Sequence, residues 1–68
     1  MKKKSAEELM MGSMEMGEII NRMLKISESN NHNGEMDKYI KSISEIMNVL
    51  TVDIIFEIEK EYPDLNPD

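Results

Sequence analysis

Sixty-eight residues, a net charge of −6 and no cysteine bound what this chain can be. A chain this short buries only about 60% of the surface its unfolded form exposes, and disulfides and thiolate metal sites are excluded, which leaves helix pairing or oligomerisation as its support. The acidic balance, with a pI of about 4.7, argues against nonspecific nucleic-acid binding and attraction to an anionic membrane.

The chain starts Met1-Lys2-Lys3-Lys4, like the charged end of a leader peptide, but Glu7 and Glu8 follow where an apolar stretch should stand. Gly12, Ser13, Glu15 and Glu18 break up what remains, and no window approaches the roughly 18 apolar residues that span a bilayer. A soluble, cytoplasmic protein is expected, with residues 1–4 as a disordered basic tail. Ser5 precedes Glu8 by three positions, the spacing of a capping box, so a helix is predicted over about 5–29. On a helical wheel Leu9, Met16, Ile20 and Met23 lie together, flanked by Ala6 and Leu24 on one side and by Ile19 and Ile26 on the other. Met10 and Met14 widen the patch, and Glu7, Glu15, Glu18, Arg22 and Lys25 occupy the opposite side. A face this broad can touch two neighbours.

Ser29-Asn30-Asn31-His32-Asn33-Gly34 is a cluster of turn formers and marks the break. The Asn31-His32-Asn33-Gly34 run matches the centre of a calcium-binding EF-hand loop. With Ser29 as the first position, however, Ile40 falls where a bidentate carboxylate is required, so an ordinary interhelical turn is expected. His32, the lone imidazole, has only Glu28, Glu35 and Asp37 near it in sequence and reads as a solvated loop residue.

The second helix is predicted over about 34–61, with Glu35 and Asp37 near its positive end. Met36, Ile40, Ile43, Met47, Leu50, Ile54 and Ile58 recur at spacings of four and three, a seam that requires another helix to cover it. Residues 49–58 also alternate with period two and are rich in β-branched side chains, so an α+β alternative with a strand there competes. Pro63 ends the helix, and residues 63–68 form an acidic tail. The expected fold is all-α: an antiparallel αα-hairpin forming one domain over 5–62 and dimerising into a four-helix bundle. Leu9, Met16, Ile20, Met23, Ile40, Ile43, Met47, Leu50, Ile54 and Ile58 are its predicted core.

No nucleophile motif, paired histidines or metal-ligand spacing is present, so neither enzymatic activity nor a cofactor is expected. The run from Val52 to Asp64 is similar to the helix that follows the attachment serine of acyl carrier proteins, which are also small, acidic and helical. The Asp-Ser-Leu motif of that family is absent, with Asn48-Val49-Leu50 where it would fall, so a carrier role is disfavoured. The chain reads instead as a small regulatory or adaptor protein that contacts another protein through its helices. Met10, Met11 and Met14, with Val52 and Phe56, are the predicted partner-binding residues, because flexible Met-rich faces adapt to varied partners. Asp53, Glu57, Glu59, Glu61 and Asp64, with Asp68 beyond them, form an acidic patch. They support an alternative in which the chain imitates nucleic acid and inhibits a basic protein. Direct nucleic-acid binding is not expected, since Arg22, Lys25, Lys38 and Lys41 are interleaved with acids.

Overall fold

The computed structural model describes residues 1–65. Asn66, Pro67 and Asp68 of the predicted acidic tail lie outside the described residues. Helix α1 spans Lys3–Ser29, and a single 3₁₀ turn follows at His32–Gly34. The return arm is helical throughout its length: α2 spans Asp37–Val49, a π-helical segment covers Leu50–Ile55, and α3 spans Phe56–Glu61. A last 3₁₀ turn occupies Pro63–Leu65. The protein is therefore an all-α antiparallel hairpin, and the strand considered for residues 49–58 does not form.

α1 begins at Lys3, two residues ahead of the predicted start, and takes Lys3 and Lys4 out of the expected tail. Lys2 stands at the cap and no side chain caps it; its carbonyl accepts from the Ala6 amide at 3.1 Å. Ser5 and Glu8 lie inside the helix, so they do not form a capping box. Packing outweighs the cap here. Ala6 and Met10 are buried with Ile58, and Ile55, Tyr62 and Leu65 close over them, so the helix extends upstream along its partner. The two chain ends are tied together as well. Lys3 pairs with Asp64, and the Tyr62 hydroxyl donates to the Met1 carbonyl. The hydrogen bond and opposite charge raise the Lys3 pKa and lower that of Asp64. Because the Asp64 pKa is depressed, its contribution is present above the ordinary carboxylate pKa and disappears as pH falls through the lowered value.

The turn is built from its polar side chains. Asn31 accepts the Met36 amide on Oδ1 and donates from Nδ2 to Asp37 Oδ1, both at 2.8 Å, so the asparagine that resembled a calcium ligand is spent on the chain itself. The Ser29 and Asn30 side chains donate to the carbonyls of Lys25 and Ile26 at the end of α1, and the Ile26 carbonyl also accepts the Asn30 amide at 3.2 Å. Asn33 and Gly34 both adopt positive φ, 56° and 76°, which delays the second helix to Asp37 rather than residue 34. At Gly34 a Cβ would stand 2.9 Å from Asp37 Oδ2. Gly34→Ala is accordingly expected to cost about 1–2 kcal/mol, read as a lowered urea midpoint at unchanged slope.

The hairpin seam explains why the arms lie so close. On α1 it runs Ala6, Met10, Ser13, Gly17, Ile20, Leu24 and Ser27, all buried or half-buried at spacings of four and three. Four of the seven are small, and a Cβ on Gly17 would meet Leu50 Cδ2 at 3.9 Å, so the apolar residues of the return arm fill the space they leave. Buried Ser13 satisfies its hydroxyl by donating to the Leu9 carbonyl at 2.7 Å. The return arm contributes Met36, Ile40, Ile43, Met47 and Leu50, then Ile55, Ile58, Tyr62 and Leu65.

The step of five from Leu50 to Ile55 is the consequence of the π segment. There the Phe56 amide donates to the Thr51 carbonyl, five residues back, and the wider turn rotates everything downstream. Ile54, predicted for the core, turns outward, and Ile55 takes its place against both buried clusters.

Candidate interaction surface

Of the ten predicted core residues, the hairpin buries Ile20, Ile43, Leu50 and Ile58 and half-buries Ile40 and Met47. Leu9, Met16, Met23 and Ile54 remain exposed, which identifies the site. The sequence pattern carries a second stripe on each helix, parallel to the seam and rotated by roughly a quarter-turn from it. On α1 it reads Leu9, Gly12, Met16, Ile19, Met23 and Ile26. On the return arm it reads Tyr39, Ser42, Ile46 and Val49, then Ile54 after the same step of five.

Because the arms run antiparallel, both stripes emerge on one side of the hairpin. Two grooves between the arms record this. One, of about 410 Å³, is lined by Met16 with Ser42, Glu45, Ile46, Val49, Leu50 and Ile54. The other, of about 290 Å³, is lined by Met23, Ile26 and Ser27 with Met36, Tyr39 and Ile43. The nine large side chains of the two stripes are each 38–61% exposed. No charged residue stands on the stripes between Leu9 and Ile26 or between Tyr39 and Ile54, although 32% of the chain is charged; Glu35 and Glu57 occupy the next positions of the return-arm stripe at either end. Glu45 is among the residues that line the larger groove, and the Lys38 ammonium sits 5.0 Å from the Tyr39 ring centre in a cation–π contact.

The residues predicted to bind a partner separate into three groups. Met10 is only 6% exposed and belongs to the hairpin core, so it is withdrawn from that role: it lies on the close-packed seam, not beside it. Met11, Met14, Val52 and Phe56 are exposed but line neither groove. Of the predicted acidic residues, Asp53, Glu57, Glu61 and Asp64 are exposed. Glu57 pairs with Lys60 at 3.0 Å and Asp64 pairs with Lys3, whereas Glu59 is half-buried and Asp53 lies in the π segment.

His32 is exposed in the turn, and among the described residues no three His, Cys, Asp or Glu side chains stand close enough to hold a metal ion. No helix among the described residues is long and apolar enough to cross a membrane. No family model matches the chain, nor does any curated protein or solved structure.

Sequence reasoning placed Leu9, Met16, Met23 and Ile54 in the bundle core and missed Tyr39 and Ile46 as members of the same face. Their spacing of four and three beside the main seam was the available signal.

Proposed function

We propose that this chain is a small, non-enzymatic regulatory or adaptor protein of the cytoplasm, acting through helix-mediated contact with a protein. The single observation that supports this reading is the exposed apolar face spread over both arms. Exposed apolar patches of this extent mark contact sites rather than ordinary surface. Met11, Met14, Val52 and Phe56 supply a smaller apolar surface outside that face, available to a further partner helix.

The alternative, an acidic inhibitor of a basic nucleic-acid-binding protein, draws on the net charge of −6. Two of the carboxylates it would use are paired within the chain, which weakens it. Binding that collapses as salt is raised would favour this alternative, because exposed charges are screened while apolar contact is not.

The contact reading is tested in cells by placing a photoreactive side chain at Ile46. Discrete protein adducts are expected there and should be scarce at Lys41, which is exposed and outside both stripes. Adducts equally frequent at both positions, or absent from both, would contradict the reading.

A further inference from the structure

Building on the contact reading, we infer that the occupant of this face is a second copy of the same chain, docked through a two-fold axis to complete a four-helix bundle. Three observations on the molecule select that occupant. The first is architectural. A hairpin is one layer, 47 × 18 × 16 Å, whereas stable domains pack two layers around a core. A folded chain of 7.9 kDa would expose roughly 4,400 Å², but this one exposes 5176 Å².

The second is area. Nine half-exposed side chains, on the order of 100 Å² each, amount to roughly the 800 Å² per partner that a standard stable interface removes from water. The third is periodicity. Both exposed stripes keep the spacing of four and three that knobs-into-holes packing requires, and the return-arm stripe alone takes a step of five at the π segment. A partner helix of ordinary pitch would match one stripe or the other. A second hairpin presents both kinds of stripe, one regular and one carrying the step of five, and a two-fold axis makes each surface its own complement.

In the bundle, Leu9, Met16, Met23 and Ile54 return to an interior, with Ile46 and Val49 opposite them. Gly12 and Ser42 are the small positions of the face and let the layers approach. Met11 and Phe56 stay outside.

Sedimentation equilibrium of the full chain across the micromolar range tests this, comparing wild type with Ile46→Glu, Ser42→Glu and Phe56→Glu. Wild type and Phe56→Glu should sediment at twice 7.9 kDa. Each groove variant places two carboxylates at the axis-related surface and should weaken association at least about a hundredfold. Ser42 is exposed and polar in the hairpin, so Ser42→Glu leaves the monomer fold intact even if Ile46→Glu does not. Helical circular dichroism confirms that each species is folded.

A wild-type chain that is folded and monomeric throughout overturns the second-copy assignment. If that monomer binds an apolar fluorescent dye, and Ser42→Glu abolishes the binding, the face is open and the contact reading stands alone. If the monomer binds no dye, the contact reading falls with it. A dimer broken by Phe56→Glu and unaffected by Ser42→Glu also overturns the assignment, since the copies would then meet on the other surface.

Discussion

Leu50→Ala is expected to abolish cooperative folding of the hairpin. Leu50 is 2% exposed and is the side chain on which the two halves of the molecule converge: it fills the gap over Gly17, and Ile20 and Ile43 pack against it. Removing three carbons from such a site costs about 2–5 kcal/mol through lost burial and the cavity left behind. Relaxation cannot relieve much of this, because the opposing α1 surface is backbone at Gly17 and cannot extend a side chain into the hole. The cost is comparable to the whole stability of a domain this small, at roughly 3–5 kcal/mol from one core. Thermal denaturation followed at 222 nm should lose its sigmoidal transition at room temperature. A variant that melts within a few degrees of wild type would show that the weight of the core lies elsewhere.

Deleting Val52 is expected to leave the hairpin at least as stable as wild type, whereas deleting Glu18 should unfold it. Both residues are exposed, so burial does not distinguish them. Register does. The return arm has one residue too many between Leu50 and Ile55, and the π turn absorbs it. Without Val52 the turn can close as ordinary α-helix, the step of five becomes four, and Ile55, Ile58 and Tyr62 keep their places on the seam. The second stripe becomes regular by the same change. α1 has no such surplus: removing Glu18 rotates Ile20, Leu24 and Ser27 by about 100° and turns them out of the seam. Chemical denaturation of the two deletions measures the contrast. Equal damage from both would mean that the π segment is not a register correction.

How much of this could be read from the amino-acid sequence depended on how loudly each seam was written. The return arm announced itself from Met36 to Leu50, because every seam position there is Met, Ile or Leu. Beyond Leu50 a plain heptad selects Ile54, and Ile58 follows it by four, so that register shows no break. The correction was legible only backwards: Leu65, Tyr62, Ile58 and Ile55 step by three, four and three from the other end. Two registers that disagree by one residue are the mark of an inserted turn.

The α1 seam was quieter. Ala6, Ser13, Gly17 and Ser27 carry little hydropathy, and their value lies in how closely they let a partner approach. The eye is drawn to the larger Leu9, Met16 and Met23 beside them, and these belong to the outer face. The capping signal at Ser5 and Glu8 was chemically sound but lost to the packing of Ala6 and Met10, a local preference worth about 1 kcal/mol set against buried apolar area. The turn was legible because Asn33-Gly34 can adopt left-handed backbone where other residues resist it.

The central claim is that one face of this hairpin is covered in solution and the rest is not. The methionines report on it without any substitution, since Met16 and Met23 line the two grooves and Met11 stands on the charged side of α1. With ¹³C-methyl methionine and a soluble nitroxide, the Met11 methyl signal should broaden away while those of Met16 and Met23 persist. Equal bleaching of all three would mean that the face lies open to water and that its apolar stripes meet nothing.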